Sequence, residues 1–525
     1  EIYFQDNISW SERFRMSLGV RFELPSYPSL ENNYNADFYK LDFGGRHFRT
    51  DNVPDASISV SPRIGFNWDV TGERKYILRG GTGLFVGRMP FVWLISAVGN
   101  SGMGQTTYVA TTSNGNTLPS ISVYGQTTPT QEDMLRQIGA VSSTSIPSGP
   151  TILSEDLRMP KTWKASLAFD AKLPGDIDFT TEFIYNRDLN PVVVSNANVY
   201  WDGSSKIDLG HGDVRHLMNF YNKDDRGNAT PNTYLLENAG TKAYYASLSF
   251  QLHKAFDFGL DLNASYTLST AKSYTEGIGD QVSSAYTNYR NSINAVNDNE
   301  TGYATYVAPN RFLLSASYKL KESKNATSTF SLVYDAYQYG YLGSFAYSRY
   351  SYIFSNNVTN DFNAPGNLIY VPASRQELNN WDFKEGKYNG EVYTADMQRN
   401  DFWEFINQDD YLKDRKGKYA ERGGAKMPWH HQLDFRYLRD MSIQIGKTKH
   451  ALQLGMDIEN VLNFLCKDWG LYKQITGNTL LSYDAKNNQY QYNLVNGERH
   501  LSTSQNYEST ASTYRIQFTI RYLFN

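Results

Sequence analysis

Residues of the types that perform chemistry are few and scattered in this chain of 525 residues. A nucleophile elbow, a zinc-protease helix and a dinucleotide-binding loop each need a fixed spacing of Ser, His or Gly, and no segment has it. Gly446-Lys447-Thr448 has the ending of a phosphate loop, but Met441 stands where such loops need glycine. The sequence therefore predicts neither an enzyme nor a bound cofactor.

Metal ligation is the next chemistry that side chains could provide. His211 and His216 flank Asp213 in a polar segment, and Asp224-Asp225 and Asp409-Asp410 supply carboxylates of the kind that bind Ca²⁺. None of these groups has the spacing of an EF-hand or a zinc site. We therefore expect ordinary loop side chains and no metal site.

The composition favours a β-rich protein and argues against other classes. Aromatic residues make up 15% of the chain, whereas disordered chains are poor in them. A formal net charge of −4 provides no basic field for nucleic acid. The longest apolar run, residues 91–98, is far shorter than the ~20 residues of a membrane-spanning helix.

The dominant pattern is an alternation of apolar and polar residues with a period of two, which predicts strands. In the last segment, for example, Ile516, Phe518 and Ile520 alternate with Gln517 and Thr519. The pattern predicts thirteen strands, near residues 1–10, 13–24, 57–69, 75–87, 160–173, 177–189, 242–255, 258–270, 309–321, 326–338, 430–444, 450–463 and 511–524.

Short turns and long connections alternate strictly between these strands. An outer-membrane barrel has this arrangement, with strands of about ten residues, short periplasmic turns and long extracellular loops. We therefore predict an all-β fold, a transmembrane antiparallel β-barrel occupying residues 1–525. Its predicted long extracellular loops are about 25–56, 88–159, 190–241, 271–308, 339–429 and 464–510.

Thirteen is an odd number, and bacterial single-chain barrels have an even number of strands. The first and last strands would both run toward the periplasm. We therefore expect at least one further strand before Glu1, so that the sequence is the C-terminal portion of a larger barrel.

Two helices are expected inside the loops. Phe91, Leu94, Ile95 and Val98 have helical spacing after Pro90. Phe402, Phe405 and Ile406 have it after Asp401, which we expect to be the N-cap. Both helices are expected to pack the loops against themselves. Tryptophans in the loops are candidates either for ligand contact or for such packing: Trp93, Trp201, Trp381 and Trp403.

Local motifs along nearly the whole chain resemble the C-terminal barrel of TonB-dependent outer-membrane receptors, most of all the Oar-like type with a carboxypeptidase-regulatory-like domain. The matching stretches are Ser61 to Trp68, Arg79 to Phe85 with Pro90 and Trp93, Pro428-Trp429, Gln432 to Arg436, Glu459 to Asn463, Asp468-Trp469-Gly470 and Arg521 to Asn525.

This resemblance implies a 22-stranded barrel closed by an N-terminal plug. It also implies substrate uptake energised by the TonB–ExbB–ExbD complex through a region absent from these residues. The last strand, with Tyr522 and Phe524, resembles the signal read by the barrel assembly machinery. A surface lipoprotein partner is compatible with the resemblance but not implied by it. The implied location is the lipid bilayer of the Gram-negative outer membrane.

Polar residues on the face opposite the aromatics are expected to line the lumen and to bond the plug or the passing substrate. The candidates are Arg15, Arg21, Arg63, Arg79, Asp434 and Arg436. Loops 88–159 and 339–429, the longest, are expected to form the external binding surface. The substrate stays open among peptides, glycans and metal chelates.

Two alternatives remain open at this point. The chain could be a passive porin-like pore or a surface adhesin, which an N-terminal plug would exclude. It could also be a soluble β-rich binding protein, which would leave several aromatic stripes exposed unless sheet packed on sheet.

Overall fold

The computed structural model describes residues 1–104, 108–109, 141–142, 146–225, 227–276, 281–288, 290–361 and 366–524. Strands dominate this part of the chain and the helices are short, which confirms the all-β prediction. Among these residues, no helix is both long and apolar enough to cross a membrane.

Thirteen long strands in the described residues form one antiparallel sheet in which each strand pairs with its neighbours in sequence. A short strand, Gly302–Tyr303, pairs with the end of the eighth. The thirteen are β1 (Ile2–Ser9), β2 (Phe14–Glu23), β3 (Ser59–Asp69), β4 (Tyr76–Val86), β5 (Lys161–Leu173), β6 (Ile177–Asp188), β7 (Tyr244–Ala255), β8 (Leu260–Ser273), β9 (Asn310–Ser323), β10 (Ala326–Gln338), β11 (Trp429–Ile445), β12 (Thr448–Glu459) and β13 (Arg515–Phe524).

The sheet is open, because β1 and β13 each pair on one side only within the described residues. These strands therefore do not close a barrel by themselves. The expectation that they belong to a 22-stranded barrel stays a prediction.

Tight turns fix the register at one end of the sheet. Ile445 stands opposite Thr448, so only two residues join β11 to β12. The first of them, Gly446, has φ +61°, as a type II′ hairpin turn requires at this position. All six short connections lie at this end, and all six long connections lie at the other.

The register gives the sheet two chemically different faces. Residues directly opposite each other in a sheet share a face, and successive residues alternate between faces. Leu314, Tyr334 and Leu433 stand in one row, whereas Ser331 and Arg436 stand in a row on the other face. We call these the apolar face and the polar face.

The buried core lies in the long connections and not in the sheet. In the described part of the sheet strands, the buried apolar side chains are four alanines: Ala168, Ala171, Ala271 and Ala336. The largest cluster joins the connections 189–243, 339–428 and 460–514. Two smaller clusters join connection 189–243 to 24–58, 87–160 and 274–309. We call these packed connections the loop head.

Small strands tie the connections to one another. The strand Gly340–Leu342, for example, pairs in parallel with Lys473–Ile475 from a different connection. The other short strands are Tyr108–Val109, Val141–Ser142, Thr151–Leu153, Val192–Asn196, Val199–Tyr200, Lys206–Asp208, Val214–His216, Asn219–Phe220, Tyr234–Asn238, Phe345–Tyr347, Arg349–Tyr350, Ile353–Phe354, Tyr370–Val371, Gly386–Tyr388, Glu391–Tyr393, Lys418–Tyr419, Ala425–Lys426, Thr479–Asp484, Gln489–Tyr492 and Ser504–Asn506.

All of the described α-helices lie in the long connections. They are α1 (Ala36–Tyr39), α2 (Phe91–Gly99), α3 (Val282–Thr287), α4 (Arg375–Asn379), α5 (Ala395–Gln408) and α6 (Val461–Leu465). The helix expected after Pro90 is α2, which is confirmed.

The second expected helix exists, but its predicted start was wrong. Helix α5 begins six residues before Asp401, and its N-cap is Thr394, whose hydroxyl accepts the backbone N–H of Met397 at 3.3 Å. The residues between Thr394 and Asp401 are mostly polar. The apolar spacing therefore did not reveal the first turns of the helix, and Asp401 lies inside it, fully buried.

Candidate functional site

The polar face of the sheet carries all six residues that the sequence proposed for the lumen. Arg15, Arg21 and Arg63 share this face because Arg15 stands opposite Asn67, Arg21 opposite Ser61 and Arg63 opposite Gly19. Arg79 stands opposite Asn67 as well, and Asp434 and Arg436 occupy alternate positions on β11. Their role toward a plug or a substrate stays a prediction.

Several charges on this face are paired with an opposite charge on another strand. The guanidinium of Arg79 lies 2.9 Å from the carboxylate of Asp170 and 3.6 Å from that of Glu182. Arg436 forms an ion pair with Asp457 on β12. At partly exposed positions such pairs contribute at most about 1 kcal/mol each, so their main effect is to orient the side chains along the wall.

Asp434 has an identifiable structural role. Its carboxylate accepts the side-chain N–H of Gln432 at 2.9 Å and the backbone N–H of Asn460 at 2.8 Å. Asn460 is the N-cap of α6 and adopts φ +57° where the chain leaves β12. Asp434 therefore fixes the point at which connection 460–514 begins.

Arg21 is held at the edge of the sheet by Glu1, at 2.9 Å, and by Glu23, at 2.5 Å. Arg15 and Arg63 are exposed, and within the described residues neither forms an ion pair. Among the candidate arginines, these two have charges that remain available on the polar face.

A cationic cluster surrounds Arg63. Its guanidinium lies 4.4 Å from the ring centre of Phe85, and the ammonium of Lys164 lies 5.3 Å from the same ring. These residues line a shallow cavity of about 550 Å³ on the polar face. Beside it, a side chain at Gly81 would place a Cβ 2.9 Å from the carbonyl oxygen of Ile64, so the neighbouring strand requires glycine here.

Sequence reasoning missed Phe85 and Lys164 as members of this cluster. A signal was present, because Phe85 follows Arg79, Gly81 and Gly83 at the polar positions of β4. An aromatic side chain at a polar position departs from the alternation of its strand, and such departures are expected at functional positions.

Two of the four loop tryptophans do not face solvent. Trp93 is 3% exposed and packs in the second cluster of the loop head, and Trp381 is 1% exposed and stacks on Tyr490 at 4.5 Å. Both were candidates for ligand contact or for loop packing, and in the structure they pack the loops. Trp201 (37% exposed, stacked on His216) and the half-buried Trp403 remain accessible.

The other side of α2, away from the buried Trp93, carries exposed apolar residues. On α2, Phe91 is 73% exposed and lies on one stripe with Ile95 and Val98. Together with Leu24 and Pro28 they line an apolar groove of about 610 Å³. Of the expected binding loop 88–159, residues 105–107, 110–140 and 143–145 lie outside the described residues.

The acidic and histidine groups in the loops do not converge on a metal site. Asp213 is buried in an ion pair with Arg215 at 2.8 Å, and Asp409 accepts the hydroxyls of Tyr352 and Thr503. Asp224 accepts the backbone N–H of Asn228 at 2.8 Å. Within the described residues, no group of three His, Cys, Asp or Glu side chains lies close enough to hold a metal ion.

Buried polar groups connect α5 to the connection before β13. The carboxylate of Asp401, which is fully buried, accepts the hydroxyl of Tyr393 at 2.5 Å and the Nε–H of Arg499 at 2.7 Å. Burial, together with the nearby Asp401, raises the pKa of Tyr393. The hydrogen bond to Asp401 raises the pKa of Arg499.

Comparison with known proteins identifies the family. Residues 1–465 match the family model described as an outer membrane beta barrel domain, and the chain belongs to this family. The protein is therefore located in the outer membrane, and the family is one of membrane barrels, not of enzymes. No curated protein matches the chain.

Solved structures of outer-membrane receptors show distant similarity. A mutant of the ferric enterobactin receptor PfeA from Pseudomonas aeruginosa is 11% identical with a TM-score of 0.40, and the match covers 99% of this chain and 44% of that one. The outer membrane transporter YddB from Escherichia coli is 12% identical with a TM-score of 0.42, covering 99% and 44%. The copper transporter OprC is 8% identical with a TM-score of 0.38, covering 100% and 47%. The chain thus spans less than half the length of these three structures.

Proposed function

We propose that the chain is the barrel portion of a TonB-dependent outer-membrane receptor of the Oar-like type, which imports a substrate with energy from the TonB–ExbB–ExbD complex. The observation that carries the proposal is the two-faced sheet of thirteen described strands, whose long connections fold into one head at a single end. A passive pore needs the sheet but not a head with its own core.

In this proposal, the thirteen strands form part of a 22-stranded barrel that other parts of the polypeptide close and plug. The polar face, including Arg15 and Arg63, would line the lumen and contact the plug or the substrate. The accessible indoles of Trp201 and Trp403 would contact ligand at the surface. Tyr522 and Phe524 would be read by the barrel assembly machinery during insertion.

The experiment that tests this proposal uses the native protein extracted from the outer membrane. Its intact mass and N-terminal sequence establish whether a plug domain belongs to the same polypeptide. Retention on beads carrying the periplasmic domain of TonB tests the energised step. KCl conductance across a planar bilayer tests gating, because a plugged receptor stays closed whereas a pore conducts steadily.

A plug-bearing protein that binds the TonB domain and shows no steady conductance is the expected result. A polypeptide of 525 residues that conducts steadily and does not bind TonB would refute the proposal. A passive pore would then become the leading account. A protein with neither plug nor conductance would point to the adhesin.

A further inference from the structure

Two buried arginines lie close together in the loop head. Arg290 follows α3 in connection 274–309, and Arg422 lies in connection 339–428 just before the strand Ala425–Lys426. Their side chains are almost completely removed from solvent, at 2% and 7% exposure. Burial lowers the pKa of both guanidinium groups to about 10, and the nearby charge of Arg422 contributes to the lowering at Arg290.

The hydrogen-bond acceptors of both guanidiniums are neutral. Arg290 donates to the carbonyls of Val194 and Val296 and to the side-chain oxygen of Asn299, the last at 2.6 Å. Arg422 donates to the carbonyls of Ser273 and Tyr274. Within the described part of the chain, neither arginine forms an ion pair, and the Nε–H of each is buried without an acceptor.

Such an arrangement is costly unless an anion completes it. A buried charge is normally paired, and a buried donor without an acceptor costs about 1–3 kcal/mol, more when it is charged. Here two like charges and two unused charged donors lie around one space. The observation therefore indicates a missing negative partner.

The space between them is large enough for such a partner. Arg290 and Arg422 line a cavity of about 100 Å³ together with Lys272, Ser292 and Thr301. One water needs only ~10–15 Å³ by a similar measure, so a small polyatomic ion fits. Water alone would satisfy the donors but would add no negative charge beside the two guanidiniums.

In the described part of the chain, the carboxylates near the cavity accept no hydrogen bond from either guanidinium. Glu276 is committed to Thr305, whose backbone N–H and hydroxyl both donate to it at 3.1 Å. Glu421 lies 3.5 Å from Arg415. Glu300 also lines the cavity, and burial raises its pKa, as it does that of Glu276. Lys272, Arg290 and Arg422 thus line the cavity with Glu300 and an already paired Glu421. Glu276 and Glu300 raise the pKa of Arg422, but neither accepts a hydrogen bond from it among the described residues.

We propose that this cavity binds one small oxyanion, a carboxylate or a phosphate, which accepts the Nε–H groups of Arg290 and Arg422 and joins connection 274–309 to connection 339–428. Planar guanidinium groups suit both chemistries, because charge-assisted pairs with carboxylate and phosphate are the strong ones. The site does not depend on the transport mechanism proposed above.

The test uses the full chain in detergent micelles at constant ionic strength. Sodium phosphate or sodium acetate replaces part of the sodium chloride, and hydrogen exchange is followed in peptides covering residues 282–304 and 415–426. We expect one of the two oxyanions, or both, to slow exchange there in a saturable way. Phosphate alone would identify a tetrahedral ion as ligand, and acetate alone would identify a carboxylate. The absence of any saturable effect beyond that of chloride overturns the proposal without recourse to variants.

Variants then locate the site. Two variants, Arg422→Gln and Arg290→Lys, should each weaken the oxyanion effect by about tenfold or more, because each removes one of the two Nε–H groups that donate to the anion. Arg399→Gln is the matched control, since this arginine lies on the same connection, does not line the cavity, and has Asp396 and the Trp381 carbonyl as partners. Because Arg290→Lys keeps the positive charge, it still tests the site if Arg422→Gln fails to fold. Equal oxyanion affinity in the wild-type protein and in both site variants would place the anion elsewhere and overturn the proposal.

Discussion

Acidification should loosen the loop head through one buried histidine, His500. Its ring lies 4.5 Å from that of Phe405 on α5, and its Nε2 lies 2.9 Å from the hydroxyl of Thr476. Within the described residues, Nδ1 is buried without a hydrogen-bond partner. Because burial disfavours the charged ring, the pKa of His500 is lowered from 6.5 to about 4.

The sign of the pH effect follows from this difference. The unfolded segment, with an ordinary histidine pKa, takes up a proton before the folded segment does. The stability contributed by neutral His500 is therefore complete above pH 6.5 and is lost as the pH falls from 6.5 to 4. Between pH 7 and pH 5 the loss is about 2 kcal/mol, which is about twentyfold in the opening equilibrium.

Hydrogen exchange of peptides covering residues 395–408 and 490–503, corrected for intrinsic pH dependence, measures this opening. The wild-type protein should lose protection between pH 7 and 5, and His500→Gln should lose about twentyfold less over the same range. His47→Gln, which removes an exposed histidine from connection 24–58, should behave as the wild-type protein does. Identical pH slopes in the wild-type protein and His500→Gln would refute the reasoning. Exchange at the histidine C2 position, followed by mass spectrometry, reports the His500 pKa without any substitution, and a value near 6.5 would refute it as well.

Three further outcomes follow from the packing of the head and the faces of the sheet. Arg499→Leu should destabilise the head by about 3 kcal/mol in chemical unfolding, because it leaves Asp401 buried and unpaired. The double variant with Asp401→Leu should recover part of that loss. A single variant as stable as the wild-type protein would contradict this. Leu332→Arg on the apolar face should reduce the free energy of folding into liposomes by ~2–4 kcal/mol, whereas Val333→Arg, at the neighbouring position on the polar face, should reduce it little. Equal reductions would mean that the two faces are misassigned. Thr394→Ala should lower the stability of α5 by about 1 kcal/mol, visible as faster exchange in its first turn, and unchanged exchange there would remove its role as N-cap.

The sheet could be predicted from the sequence because the information that specifies a strand is local. Alternation reports the two faces, and turn residues report the ends, so thirteen predicted segments overlap β1 to β13. Connection 87–160 shows the limit of this information. Alternation predicted β4 and β5 on either side of it, but not how residues such as Trp93 within it pack. The same period placed Arg15 and Arg63 on the polar face.

The loop head could not be predicted, because its contacts join residues far apart in sequence. The Nη1–H of Arg215 donates to the carbonyl of Leu368 at 2.8 Å, and Arg499 pairs with Asp401 on another connection. No short pattern encodes such pairs. The sequence left ligand contact and loop packing both open for Trp381, and its burial in the head favours packing.

Apolar residues have two different roles in this chain, one in the sheet and one in the loop head. In a soluble protein a strand face such as Leu314, Tyr334 and Leu433 would mark the core, yet among the described residues the apolar side chains that these strands bury are all alanines. Their apolar side chains face lipid, so they contribute to insertion and not to a packed interior. The packed interior lies in the connections, which a hydrophobic-periodicity reading treats as polar loops. A substitution in connection 339–428 therefore acts on a protein core, and its effect on ligand binding can be interpreted only after the folding of the head has been measured.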